Sequence, residues 1–497
     1  MNALINKPTL RLSLLASVLM TLIACSVEPT YERPEASVPA VYKEDGVLTQ
    51  RGSWKAAEPA DFTQRGEWWT IFDDAALNAL EQQALSANQD LRAAAARVKE
   101  ARGLSQVARG GLFPSIDAGV GATRQRVSEA SQPEGSQAYQ NTLVRSQVGI
   151  AYEVDLFGKI SSSVHAAEAD LQQTEALFNS VQLALQADVA QNYFQIRQLD
   201  AQAEVLSEAV QLREKALQLV ESRFADSEIS ELDVSRARSE LATARSDAMT
   251  VARQRAYSEH RLAVLLGKAP AEFSMTAKPL QAMAVQVPAG LPSALLERRP
   301  DIAAAERAMA AANARIGVAK AAFFPSLSLT GAAGFEASTL GNLFNWSNRT
   351  FLLGPLAGTA LNIPLFDGGR RSGNLASARA EYEEDVAKYR QQVLVAFREV
   401  EDNLADLAIL ADQTRVQAEA VSASGRAADI SRSQYVEGAV AYLDVIDAER
   451  SVLQAQRAAI DLQGIQAIAT VNLIRALGGG WGPPHNQRAA SAVASNP

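Results

Sequence analysis

Leu112-Phe113-Pro114-Ser115 recurs as Phe323-Phe324-Pro325-Ser326, 211 residues further along the chain. The same spacing of 211 residues relates Leu232-Asp233-Val234 to Leu443-Asp444-Val445, Phe224 to Tyr435, and Leu266-Gly267 to Leu477-Gly478. Leu156-Phe157 and Leu365-Phe366 lie 209 residues apart, so the second copy has lost two residues within this stretch. One spacing kept at four separated places predicts that the chain is a tandem duplication of a single structural unit.

Each copy is predicted to begin with a helix followed by two strands. Alanine-rich segments over 75–111 and 293–322 favour helices, which Pro114 and Pro325 end because proline lacks the N–H that a helix needs. Residues 146–156 alternate between apolar and polar side chains, which is the period of a strand, and weaker strands are predicted over 115–122, 326–335 and 352–365. Loops are expected over 123–145 and 336–350.

Each copy is predicted to end in a long helical hairpin. Residues 159–266 contain neither glycine nor proline, and their apolar residues recur every three or four positions, as in an amphipathic helix. A turn is expected over 226–230, and the second copy repeats the pattern over 373–477 with its turn at 437–439. A helix over 159–225 would be about 100 Å long, so it must pack alongside other helices. The predicted fold class is mainly α with a small β part.

Composition excludes several classes of protein. The chain has 497 residues and a net charge of −9, which disfavours nucleic-acid binding. One cysteine and three scattered histidines rule out a disulfide framework and disfavour a zinc site, and no catalytic triad can be argued from the spacing. We therefore expect no enzymatic activity, no metal and no cofactor other than covalent lipid.

The single cysteine ends a segment that is typical of a bacterial lipoprotein signal. Residues 1–24 combine a basic start with an apolar run of 13 residues, and Leu22-Ile23-Ala24-Cys25 has the form of a lipobox. Cys25 is therefore the predicted lipidation site, and the Ser26 that follows favours the outer membrane. The predicted organisation is a signal peptide over 1–24, a lipidated tether over 25–60, repeats over 61–270 and 271–482, and a disordered tail over 483–497.

Four strands cannot close a membrane barrel by themselves, because about eight strands are the practical minimum. Three copies of the chain would supply twelve strands and a periplasmic barrel of long helices. The sequence therefore predicts a homotrimer in contact with outer-membrane lipid. The alternative from periodicity alone is a periplasmic coiled-coil scaffold without a channel; a surface-anchored hydrolase is disfavoured by the long helices.

Several motifs resemble the signature stretches of TolC-family outer-membrane efflux factors, above all their OprM/NodT-like lipoprotein branch. They are Asp155-Leu156-Phe157-Gly158, Glu297-Arg298-Arg299-Pro300-Asp301-Ile302, Ala319-Lys320-Ala321-Ala322-Phe323-Phe324-Pro325, Pro364-Leu365-Phe366-Asp367-Gly368-Gly369 and Ala476-Leu477-Gly478-Gly479-Gly480-Trp481. The resemblance implies a trimeric exit duct that exports drugs or other small toxic compounds from an inner-membrane pump of the resistance-nodulation-division type through a periplasmic adaptor protein. Type I protein secretion and metal-ion efflux are the alternatives within this family.

The resemblance also implies a gate at the turn of the second hairpin. Leu443 corresponds to an apolar constriction, and Asp444 and Asp447 share one helix face that would line the pore as rings of carboxylates. Tyr435 matches a tyrosine that joins neighbouring helices, with Asp233 and Ser235 as its candidate partners in the first copy. Some family members carry an arginine where this chain has Val440, so the gate here is expected to be weaker or built differently.

Overall fold

The computed structural model describes residues 26–35, 39, 42–43, 67–131, 133, 135, 137–280, 298–354 and 360–479. The predicted signal peptide, Cys25 and the predicted tail lie outside these residues, as do Glu297, Gly480 and Trp481 of the motifs above. Most of the predicted tether also lies outside them.

Seven α-helices of the described residues follow the duplication. They are α1 Ala75–Ala87, α2 Gln89–Gly110, α3 Lys159–Ala225, α4 Glu231–Leu265, α5 Pro300–Ala321, α6 Arg370–Val436 and α7 Tyr442–Ala476. The hairpin α3–α4 and the hairpin α6–α7 each join a helix of 67 residues to one of 35 residues. All four helix ends of the second hairpin lie 211 residues after their counterparts, which confirms the duplication.

Two predicted helix boundaries are wrong. The segment 75–111 is two helices, because Asn88 is extended and its side-chain oxygen accepts a hydrogen bond from the N–H of Leu91 at 2.9 Å, starting a new helix. Helix α6 begins at Arg370 rather than at Gly373. There the carboxylate of Asp367 accepts a hydrogen bond from the N–H of Arg371 at 3.1 Å and caps the first turn.

The two hairpins turn in the same way at equivalent positions. Ser227 and Gly438, which are 211 residues apart, both adopt a left-handed backbone, with φ of 62° and 78°. The N–H groups of Glu228 and Ala439, one residue further on, donate to carbonyls in the last turn of the preceding helices at 2.9 and 2.8 Å. Both turns are therefore Schellman motifs, and they fall where the sequence predicts them.

The strands form one antiparallel sheet in the order β1-β2-β3-β4, with β5 also paired to β3. They are β1 Ser115–Val127, β2 Tyr139–Val154, β3 Ser326–Ala337, β4 Arg349–Leu353 and β5 Leu361–Asn362. The predicted loop over 123–145 is wrong, because polar residues up to Val127 continue the ladder with β2 from Tyr139 onward. Backbone hydrogen bonds, rather than apolar side chains, extend these strands. The predicted strand over 352–365 is present as two short pieces, β4 and β5.

The chain divides into two compact units. The sheet unit comprises Met1–Glu35, Val98–Thr174 and Ala305–Tyr389, and the helical unit comprises Ala36–Arg97, Glu175–Ala304 and Arg390–Pro497. In the helical unit, the apolar face of α3 predicted from its spacing (Leu185, Val189, Ile196) packs with Leu262 and Leu266 of the first copy. Within the part of the chain that the structure describes, no helix is both long and apolar enough to cross a membrane.

Candidate channel wall and gate

The register of the sheet places apolar side chains on one face, which we call the outward face. Ile116 pairs with Ile150, and Ile150 pairs with Gly331, which in turn pairs with Leu353, so these residues share a face across four strands. The same face carries Val120, Val148, Tyr152, Val154, Leu327, Leu329, Phe335 and Phe351. Val120 and Phe351 are 76% and 79% exposed in the single chain. Apolar side chains this exposed require a non-aqueous surrounding.

The opposite face of the sheet carries small and polar side chains. Asp117, Gly149 and Ala332 pair across β1, β2 and β3, and Gly119, Gln147 and Gly334 do so one step further along. Arg145 of β2 forms an ion pair with Glu336 of β3 at 2.8 Å on this face. A sheet that is apolar on one side and polar on the other fits a wall between lipid and water.

The segment 26–35, the N-terminal strap, has no regular secondary structure and packs on the helices that join the sheet. The N–H of Val27 donates to the carbonyl of Phe157 at 3.4 Å. Glu28 accepts hydrogen bonds from the hydroxyl of Ser162 at 2.9 Å and contacts Nδ1 of His165 at 2.9 Å. Ser26 lies against Gly158, whose left-handed backbone, with φ of 76°, favours glycine at this position. The strap therefore holds the residue next to Cys25 at the start of α3.

Tyr435 lies in an apolar cluster between the two hairpins, close to their turns. Val220 and Val234 of the first copy pack there with Tyr435, Tyr442 and Val445 of the second. The rings of Tyr435 and Tyr442 are 5.5 Å apart, and the hydroxyl of Tyr435 is buried without a hydrogen-bond partner among the described residues.

Charged side chains surround the same two tyrosines. The guanidinium of Arg223 lies 5.0 Å from the centre of the Tyr435 ring, a cation–π contact. Burial, reinforced by the Glu449 carboxylate, raises the pKa of Tyr442 to about 12. Tyr442 is therefore neutral in this cluster at neutral pH.

The candidate pore residues Leu443, Asp444 and Asp447 are all exposed on the first two turns of α7. Leu443 is 40% exposed. Asp444 accepts a hydrogen bond from the N–H of Ala441 at 3.0 Å and so caps the helix, whereas Asp447 lies 3.5 Å from the guanidinium of Arg450. The two carboxylates share one exposed face, as the spacing predicts.

The structure does not bring Asp233 or Ser235 to Tyr435 within one chain. Asp233 accepts a hydrogen bond from the hydroxyl of Ser230 at 3.0 Å and lies 3.6 Å from Arg236, while Ser235 is exposed. Val234, which lies between them, packs in the tyrosine cluster instead. Their role as gate partners stays a prediction.

Ion pairs between the hairpins are the feature that sequence reasoning missed. Buried Glu240 of α4 forms an ion pair with Arg450 of α7, and Arg213 of α3 approaches the same carboxylate at 3.5 Å. Asp247 of α4 and Arg457 of α7 form a second pair at 3.3 Å. Because Glu240 is partnered by both hairpins, it ties the first hairpin to the second near their turns.

A further ion pair within each hairpin is reversed in polarity between the copies. Glu221 and Arg238 are 2.8 Å apart in the first hairpin, and Arg432 and Glu449 are 3.2 Å apart in the second. Glu221 corresponds to Arg432 and Arg238 to Glu449 at the spacing of 211 residues. This exchange of charges at repeat-matched positions is the signal in the sequence that could have revealed these pairs.

A sheet with one apolar and one polar face, in a chain that also carries two repeated hairpins of long helices, defines a channel protein that lines a passage across a membrane. The sequence profile of the outer membrane efflux protein family matches residues 80–268 and, a second time, residues 291–479. The chain belongs to this family and is the outer-membrane channel of an efflux system.

Individual relatives agree with this assignment. The toluene efflux pump outer membrane protein TtgF of Pseudomonas putida is 35% identical over 468 residues, which cover 93% of this chain and 95% of TtgF. The cation efflux system protein CusC of Escherichia coli is 33% identical, over 93% of this chain and 97% of CusC. The solved structure of the outer-membrane channel OprN is 31% identical and matches with a TM-score of 0.82, over 92% of this chain and all of OprN.

Proposed function

We propose that this channel is a homotrimeric exit duct for small toxic organic compounds. In this proposal it receives them from an inner-membrane pump of the resistance-nodulation-division type through a periplasmic adaptor. The observation that carries the proposal is the sheet itself. Toward the helices, its outward face is apolar on β1, β2 and β3, while β1 and β4 each have one partner strand among the described residues. Open strand edges leave backbone groups without partners in lipid, so neighbouring copies must close the sheet.

The identity of the relatives supports small organic compounds as the exported class. TtgF belongs by name to a toluene efflux pump, and cation efflux is the second candidate because CusC is nearly as similar. Deletion of the gene is the test, with susceptibility measured against toluene and other apolar toxicants in one arm and against copper and silver ions in the other. Loss of resistance only in the metal arm would select cation efflux, and unchanged resistance in both arms would contradict the proposal.

We further propose that Cys25 carries the lipid anchor. The N-terminal strap supports this, because it holds Ser26 where β2 gives way to α3, beside the partly exposed Phe157 and Phe324, whose rings stack at 4.7 Å. The mature wild-type protein is expected to have a mass greater than its polypeptide by the mass of attached acyl chains. Cys25→Ser should lose that added mass, and an unmodified wild-type protein would contradict the assignment.

The exposed carboxylates at the start of α7 are proposed to set ion preference at the periplasmic end. Asp444→Asn with Asp447→Asn should lower the preference of the open channel for cations in planar bilayers, because three chains would lose six negative charges at the constriction. Asparagine is chosen because it keeps the cap that Asp444 provides to Ala441. Asp412→Asn, at an exposed site on α6 remote in sequence, is the matched control. An ion preference equal to that of the control would remove both residues from the pore.

A further inference from the structure

We propose that the loop end of the outward face binds lipid A, the phosphorylated glycolipid of the outer leaflet of the outer membrane. The site is a groove of about 520 Å³, here called the loop-end groove, which Arg349 lines. Arg124 and Arg126 lie on β1 toward the same end of the sheet, and the three arginines are here called the arginine rim. This inference depends on the proposed closed trimeric sheet in one respect only, which is the depth at which the groove lies in the membrane. The groove itself is built by one chain.

The groove has an apolar floor and an aromatic side wall. Val148, Phe335 and Phe351 of the outward face line the floor, and Phe344 and Trp346 reach over it from the loop between β3 and β4. The ring of Phe344 meets that of Phe335 edge-on at 5.7 Å, which fixes the loop against the sheet. Phe344 and Trp346 remain 71% and 73% exposed, so the groove offers apolar surface to an acyl chain.

Three arginines occur at the same end of the same face. Arg349 pairs with Phe335 across β3 and β4, and its guanidinium lies 4.4 Å from the centre of the Trp346 ring. Arg124 and Arg126 lie an even number of residues after Ile116 and Val120 on β1, so they share the face of those two residues. All three are exposed.

Among the residues that the structure describes, the arginine rim has no carboxylate partner, unlike the arginine on the opposite face. Within the described ranges none of the three forms an ion pair, and Arg124 donates only to the amide oxygen of Gln140 at 3.4 Å. Arg145, at the same level on the polar face, is neutralised by Glu336. Guanidinium groups that share the outward face with an apolar groove, and that form no ion pair among the described residues, are complementary to a lipid that carries phosphate on its headgroup.

The direction of the strands decides which leaflet supplies that lipid. Helices α2, α3 and α5 join β1, β2 and β3 at one end of the sheet, and the arginine rim is at the other end. In an outer-membrane efflux channel the helices extend into the periplasm, so the rim faces the outer leaflet. The lipid of that leaflet is a glycolipid with phosphates on its sugars, which the fork of an arginine can bind in a bidentate way.

The test is native mass spectrometry of the purified full-length protein titrated with bisphosphorylated lipid A. Wild type is expected to bind lipid A, and Arg124→Gln with Arg126→Gln and Arg349→Gln should weaken binding by at least about tenfold, since each arginine near the headgroups contributes. Arg145→Gln is the matched control on the polar face and should bind as wild type does. Equal affinity of wild type and the triple variant would overturn the proposal.

Binding of two other lipids to the wild-type protein distinguishes lipid A from other sources of phosphate. Wild type should bind dephosphorylated lipid A and phosphatidylglycerol at least about tenfold more weakly than bisphosphorylated lipid A, because neither offers two sugar phosphates. Equal binding of phosphatidylglycerol would overturn the assignment to lipid A, and this arm needs no variant to fold. The same spectra report the oligomeric state, so failure of the proposed trimer is seen separately from failure of lipid binding.

Discussion

Replacing Glu81 by glutamine is expected to remove most of the loss of stability that the wild-type protein suffers as the pH rises from about 5 to about 9. Glu81 lies on α1 in the helical unit and is fully buried. Neither of its carboxyl oxygens has a hydrogen-bond partner among the described residues. Burial raises the pKa of Glu81 to about 9 from an ordinary value of 4.5.

The direction of this change in stability with pH follows from the number of protons bound in the folded and unfolded states. Between pH 4.5 and about 9 the folded protein keeps a proton on Glu81 that the unfolded chain has released. Folding therefore takes up a proton, and the free energy of unfolding falls with rising pH by about 1.4 kcal/mol per pH unit. Below pH 4.5 both states are protonated, and this contribution to the pH dependence disappears.

The measurement is the thermal unfolding midpoint of wild type and Glu81→Gln in the same detergent, from pH 4 to pH 9. The variant should match wild type in acid and exceed it increasingly toward pH 9. Glu100→Gln, at an exposed position of α2, is the control and should follow the wild-type curve. Parallel curves for wild type and Glu81→Gln would show that the buried carboxyl does not titrate between the folded and unfolded states.

Removal of the ion pairs between the hairpins is expected to open the proposed channel. Arg450→Ala with Arg457→Ala deletes the α7 partners of Glu240 and Asp247, which are the two ion pairs from α4 to α7 among the described residues. Arg213 remains beside the carboxylate of Glu240 in this variant, and both deleted arginines are more than one-third exposed, so each pair contributes only about 1 kcal/mol. Loss of both pairs, about 2 kcal/mol, should raise the open fraction of a closed channel by about thirtyfold. The measurement is single-channel conductance in planar bilayers.

A charge swap distinguishes a lost ion pair from general damage to the helices. Asp247→Arg combined with Arg457→Asp restores the second pair in reversed polarity, and both side chains are exposed enough to accept the exchange. This swapped protein should conduct like wild type, whereas Asp247→Arg alone should be more open. If the swap and the single change are equally open, the pair does not hold the hairpins together.

The repeat and the period of the sequence predicted the larger part of the fold. The 211-residue spacing predicted two equivalent hairpins, and the structure has helices of equal length at that spacing. The alternation from Val148 to Val154 predicted a strand with one apolar face, and the register of β2 confirms it. Motifs such as Asp155-Leu156-Phe157-Gly158 also indicated the family correctly. The placement of the gate residues and the lipid anchor stays a prediction.

Local features that depend on one side chain were harder to predict. Asn88 divides α1 from α2 through its own cap, yet it stands inside an uninterrupted helical pattern. The polar ends of β1 and β2 extend well past the alternating residues because each backbone finds its partner across the ladder. In both places a hydrogen bond made by one residue or its partner overrides the apolar period.

By itself, the sequence determined the duplication, the lengths of the hairpins, the apolar face of β2 and the family, because these are patterns repeated along one dimension. Only the tertiary structure showed that Glu81 is buried with no hydrogen-bond partner among the described residues, and that Glu240 meets Arg450, 210 residues away. Helices rich in alanine can pack on several faces, so their period does not determine the rotation that brings two distant charges together. That rotation is set by the packing between helices, which cannot be read from one amino-acid sequence.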